Sequence, residues 1–226
     1  MNMTYKTLVL LCLGVAAYAV VAYGFLPLGV LVHPDMRASF AAHPLGIYTH
    51  IFGSAVALVL GPFQFSATLR ARRPDLHRWS GRVYLGVGVL LGGGAGLWMA
   101  LHAFGGWPGQ LGFGLLAAAW LFTGYRAYER IRAGDVAAHH RWMVRNFSLT
   151  LAAVTLRFYL PASMASGMRF ELAYPAIAWL CWVPNLLVAE LWVNRKAKNT
   201  QRFSPAPSPS QQYPETAGAA PGHTHR

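Results

Sequence analysis

A chain of 226 residues that is 55% hydrophobic and only 12% charged falls outside the soluble range, where charged residues run at about 25%; its composition is that of a polytopic membrane protein. The net charge of +12 does not point to nucleic acid, because the basic residues gather beside apolar runs rather than along one polar face, which is the positive-inside pattern. Cys12 and Cys181 both lie in apolar runs without metal-ligand spacing, so neither a disulfide framework nor a thiolate metal site has support.

The first apolar run, about residues 8–28, carries no charge and is long enough for a hydrocarbon layer of about 30 Å. Ala17-Tyr18-Ala19 has the small-x-small form of a signal-peptide cleavage site, but the apolar run continues past it, which favours a retained helix. His33 to Pro44 reads as a polar loop whose two X-Pro steps discourage helix. Further spans are expected at about 45–66, 76–103, 110–128, 140–161 and 173–193, giving an all-α membrane domain of about six transmembrane helices over residues 1–195. Beyond Arg195 the sequence, about 196–226, is rich in Pro, Ser, Gln and Ala and is expected to be a disordered tail. Arg and Lys crowd the connections after the second, fourth and sixth spans, which places both termini in the cytoplasm.

Two stretches share the pattern H-R-W-x-x-R: His77 to Arg82 and His140 to Arg145. Trp and Arg at such positions suit the headgroup region; the histidines are not explained that way. On the second span His50, Gly53, Ala57, Gly61 and Gln64 follow at three- and four-residue steps and share a face. On the third, His77, Gly81, Tyr84, Gly88, Gly92, Ala95 and His102 fall within about 60° of one direction at about 100° per residue. Such glycine stripes signify close helix packing or room for a flat cofactor. On the fifth span Asn146, Thr150 and Arg157 form a polar stripe that should face the bundle interior, with Arg157 about 25 Å along the axis from His140. A charge at that depth needs protein, water or an anion beside it.

The segments I-Y-T-H-I-F-G-S, L-G-P-F-Q-F, L-H-R-W-S-G-R-V-Y-L, I-R-A-G-D-V-A-A-H-H-R-W-M-V-R-N-F and T-L-R-F-Y-L-P resemble the bacterial family of predicted membrane proteins called domain of unknown function 2306. The likeness runs from Gly46 to Pro161. It implies a multi-pass protein of the bacterial inner membrane and no particular reaction.

Three functional readings follow. In the first, paired imidazoles from different helices hold the iron of b-type haem for membrane electron transfer, with a quinone or another membrane redox partner. His50 would pair with His102 near one surface and His77 with His140 near the other, while Arg82, Arg145 or Arg157 receives propionates. His77 and His102 stand about 37 Å apart on a straight helix, so these haems would lie at the interfaces. In the second, Arg157 is the anion site of a small carrier; cation coupling is disfavoured because no carboxylate lies near the midplane. In the third, the chain is a noncatalytic module that packs with a partner. H-E-x-x-H is absent, which argues against a zinc hydrolase.

Overall fold

The structure is a computed structural model that describes residues 3–202, with side chains through Lys196, and every regular element among them is helical. The chain divides into a bundle, Met1–Val193, and a second unit, Asn194–Arg226, whose described part is helix. Five segments are long and apolar enough to cross a membrane: Met3–Gly24, Pro44–Gln64, Pro74–Ala100, Val136–Ala165 and Phe170–Lys196. The fourth of the six expected spans is the 27-residue helix Gly106–Arg132. It is less apolar than the others because its sequence ends in Arg126, Glu129, Arg130 and Arg132.

In chain order the helices are α1 (Met3–Gly24), α2 (Pro34–Ala42), α3 (Pro44–Gln64), α4 (Ala67–Arg72), α5 (Pro74–Val83), a π-helical stretch (Tyr84–Leu91), α6 (Gly92–Ala100), α7 (Gly106–Arg132), α8 (Val136–Thr150), α9 (Ala152–Ala165), α10 (Phe170–Leu180) and α11 (Val183–Arg202). The expected loop at His33 to Pro44 is therefore a helix. Pro34, Pro44 and Pro74 each occupy a first-turn position, with His33, His43 and Arg73 as the residues before them. A proline there has no hydrogen bond to lose and starts the helix rather than preventing it. Two other starts have side-chain caps: Ser66 accepts from the Leu69 N–H at 3.2 Å and Asp135 from the Ala138 N–H at 2.8 Å. Pro161 and Pro175 lie inside α9 and α10, so the fifth span continues past the end its proline suggested. The last helix runs on to Arg202, past the expected end near residue 193; the remainder of the expected tail lies outside the described residues.

The two glycine-bearing faces foreseen on the second and third spans pack against each other. A Cβ on Gly53 would lie 2.8 Å from Gly92 Cα and 3.1 Å from Val87 O, and one on Gly88 would lie 2.8 Å from Ala57 Cβ. At the arginine-rich end Gln64 Nε2 donates to Ser80 Oγ at 3.0 Å. This is close backbone approach of the small-xxx-small kind. Gly53→Ala should therefore destabilise by about 1–2 kcal/mol, because the neighbour that must yield is backbone. Gly94→Ala, where nothing lies within 4 Å, should stabilise by about 0.5–1 kcal/mol through helix propensity. Denaturation of the two variants in one detergent checks the opposite signs.

The stripe predicted on the fifth span also turns inward. Asn146 is fully buried and Thr150 nearly so. Asn146 Nδ2 donates to Trp120 O at 2.8 Å and Thr123 Oγ1 at 2.9 Å, and Tyr84 donates its hydroxyl to Asn146 Oδ1 at 2.7 Å. Trp120 Nε1 donates to Thr150 Oγ1 at 3.0 Å, and Thr150 Oγ1 lies 2.9 Å from the Tyr84 hydroxyl. This polar knot joins the third span, α7 and α8.

Candidate ligand cavity

A cavity of about 390 Å³ opens in the half of the bundle that α2 closes, a size within the usual small-ligand range of about 300–1,000 Å³. Ile47, Ile51 and Leu58 of α3, Met99 of α6, Phe113 and Leu116 of α7 and Leu156 of α9 supply apolar wall. Asp35, Met36, Ser39 and Phe40 line it from α2, whose sequence places them on one face. α2 is tethered by Ser39 Oγ donating to His102 O at 3.1 Å and by the Tyr23–Phe40 ring stack. His33 lies 3.8 Å from the Phe170 ring, nearly parallel to it, and its Nδ1 is 3.5 Å from Asp35.

Against this apolar background stand two polar groups that the sequence singled out. Arg157, half-buried on α9, donates from Nη1 to Ala153 O at 2.8 Å, one turn back on its own helix, and lies 5.4 Å from the Tyr18 ring. Its Nε is buried with no hydrogen-bond partner, and no acid pairs with it among the described residues. Asp35, the acid of the lining, faces His33. His50 on α3 holds Nδ1 2.9 Å from Gly92 O. The room for that ring comes from Gly96, where a Cβ would lie 2.6 Å from His50 Nδ1.

Of the seven residues expected to serve a cofactor, the cavity gathers His50, His102 and Arg157. His102 faces more than the cavity: its ring lies 4.0 Å from that of His43 and edge-on to Trp98 at 5.4 Å, with Nδ1 3.3 Å from Trp98 O. His77, His140, Arg82 and Arg145 are not part of the lining. His77 keeps a buried, unpartnered Nδ1; His140 sits edge-on to Phe65 at 5.9 Å and 6.0 Å from Trp192; Arg82 is exposed. Arg145 is engaged by Glu190, Nε to Oε1 at 2.5 Å and Nη2 to Oε2 at 2.8 Å, and lies 4.8 Å over Trp142. Among the described residues no cluster of three or more His, Cys, Asp and Glu side chains could hold a metal ion.

Sequence reasoning missed Tyr23, Asp35, Ser54 and Tyr174 of the lining. Ser54 had a usable signal, since it lies one helical turn from His50 on the same face; its Oγ is buried and unpartnered. Asp35 was hidden by reading α2 as loop, and the two tyrosines look like ordinary interfacial aromatics.

Neither the curated proteins nor the solved structures contain a match to this chain. The model of one family does match, over residues 47–193, which takes in both H-R-W-x-x-R stretches, His50, His102, Arg157 and Glu190 and extends well beyond the Pro161 limit of the likeness read from sequence. The chain therefore belongs to the family described as predicted membrane protein, DUF2306.

Proposed function

We propose that this protein takes an amphipathic anion into the cavity bounded by α2, α3, α6, α7 and α9, with Arg157 on the anionic group and the apolar wall around the rest. The carrying observation is Arg157 itself. A guanidinium inside a membrane-spanning segment, with no acid paired to it and an unpartnered Nε beside an apolar cavity, is costly unless an anion answers it. Its planar fork matches a carboxylate or phosphate.

The test is ligand-dependent stability of the full-length protein in nanodiscs. Decanoate or decyl phosphate should raise the melting temperature of the wild type, by an amount equivalent to about 2.7 kcal/mol at a hundredfold excess over Kd. Arg157→Gln should abolish the effect, and decanol should not produce it. Equal responses of wild type and variant would sink the reading. A purely structural module, the third reading from sequence, predicts no ligand dependence at all.

Two forms of the anion suit the site. One is a tailed carboxylate or phosphate, held or carried. The second is b-type haem, whose propionates are carboxylates, and the observation favouring it is that His50 lines the same cavity as Arg157. In that form the protein serves electron transfer in the bacterial inner membrane with a quinone as partner. The visible spectrum of the purified protein separates the two forms.

A further inference from the structure

We infer that the ligand of this cavity is an iron tetrapyrrole with His50 Nε2 as axial ligand to the metal, an inference that rests on the reading of the cavity as an anion site. His50 carries the case. A backbone carbonyl can only accept, so the 2.9 Å contact between His50 Nδ1 and Gly92 O puts the imidazole proton on Nδ1 and leaves a lone pair on Nε2. Orientation of one ring nitrogen by a backbone carbonyl, with the other free, is the arrangement that metal-binding histidines adopt. No neighbouring group hydrogen-bonds to Nε2 among the described residues.

Gly96 is part of the same construction. Any side chain there would displace the ring, since even a Cβ would sit 2.6 Å from Nδ1 and 2.8 Å from Cε1. The sequence thus holds open, on the glycine-rich third span, the seat of a cavity histidine from α3 that is oriented through a carbonyl of that span.

The two polar groups also differ in what they ask of a ligand. Arg157 asks for an anion, and a fatty carboxylate would satisfy it. His50 offers a neutral lone pair from a different helix of the same apolar cavity, and a fatty carboxylate has nothing to receive it. A tetrapyrrole answers both: a metal at its centre for Nε2 and propionates at its edge for the guanidinium. The bond formed is a coordinate bond from Nε2 to iron, with no change of oxidation state.

The experiment uses full-length protein produced with 5-aminolevulinate and purified, and haemin titrated into the same protein in nanodiscs. The expected result is one haem per chain with a Soret band displaced from that of free haemin. His50→Gly should lose the displaced band, and added imidazole should restore it, which a merely structural role for His50 would not allow. Should glycine at position 50 unfold the helix, His50→Gln, whose amide can still donate to Gly92 O, gives the same comparison without the imidazole arm. Arg157→Gln should weaken haem binding about tenfold, equivalent to about 1.4 kcal/mol, without moving the band, because it touches the edge of the ligand and not the iron. A wild type that leaves the haemin spectrum unchanged, or His50 variants with the wild-type spectrum, would overturn the inference. If that failure is accompanied by decanoate stabilisation that Arg157→Gln removes, the anion site stands without haem; if the stabilisation is missing too, both fall.

Discussion

Asn146→Leu is expected to destabilise the bundle by about 3–5 kcal/mol, more than any other single change considered for this protein. Leucine shares the heavy-atom branching, but its methyl groups need about 3.5 Å where the amide atoms stand 2.7–2.9 Å from their partners, so the loss is polar and steric together. The Asn146 amide binds Tyr84, Trp120 and Thr123 at 2.7–2.9 Å from a fully buried position. Individual side-chain hydrogen bonds between membrane helices average about 0.6 kcal/mol, so three of them account for about 2 kcal/mol. The remainder comes from forcing larger, tetrahedral methyl groups into a filled space, at about 1–3 kcal/mol for an overpacked core, while the Trp120 carbonyl and the Tyr84 hydroxyl each keep a threonine partner, Thr123 and Thr150. Tyr84→Phe removes only the hydroxyl, keeps Asn146 bonded to α7, and should cost about 1 kcal/mol. Unfolding titrations in mixed micelles read both. An Asn146→Leu protein with the wild-type midpoint would mean that the knot does not hold α7 to α8.

Breaking the pair between Arg145 and Glu190 comes next, at about 2–3 kcal/mol for Arg145→Ala, because the fork is bidentate, only 17% of the Arg145 side chain is exposed, and the guanidinium also covers Trp142. Glu190→Ala should cost less, since the carboxylate is 37% exposed and the arginine keeps its aromatic contact. Arg145→Lys should rescue little. It retains the charge and loses the planar fork that meets both carboxylate oxygens. The exchange Arg145→Glu with Glu190→Arg should recover part of what either reversal loses. The same denaturation midpoints measure it, and a lysine variant as stable as the wild type would show that charge alone suffices.

Much of this arrangement was legible in the sequence. The three- and four-residue steps of His50, Gly53, Ala57, Gly61 and Gln64 named the face of α3 that meets the third span, and the stripe through Asn146 and Thr150 named the side of α8 that is buried. Periodicity suffices there because both patterns lie within regular α-helix. On the third span it holds through Tyr84, Gly88 and Gly92 and slips past the π-helical turns, where the Gly92 N–H reaches Val87 O five residues back, a constant angular step no longer describes the helix, and Gly93, Gly96 and Ala100 are buried rather than Ala95. The pairing of Arg145 with Glu190 was out of reach for a different reason: 45 residues separate them, and nothing local says which two spans will be neighbours. The cavity was half visible. His50 and Arg157 stood out as polar groups in apolar runs, but that they open onto one space, and that α2 roofs it, depends on tertiary contacts that no spacing rule contains.

The widened turns of the third span divide that helix into two lengths with separate moorings. Tyr84, at the start of the π-helical stretch, is tied into the knot with Asn146, whereas Gly96 beyond it forms cavity wall beside His50. The π-helical turns between these two moorings are where the hydrogen-bond ladder of the span departs from the regular α-helical pattern. Amide deuterium uptake should therefore be fastest, within this span, around residues 87–92, and should slow there when the cavity fills.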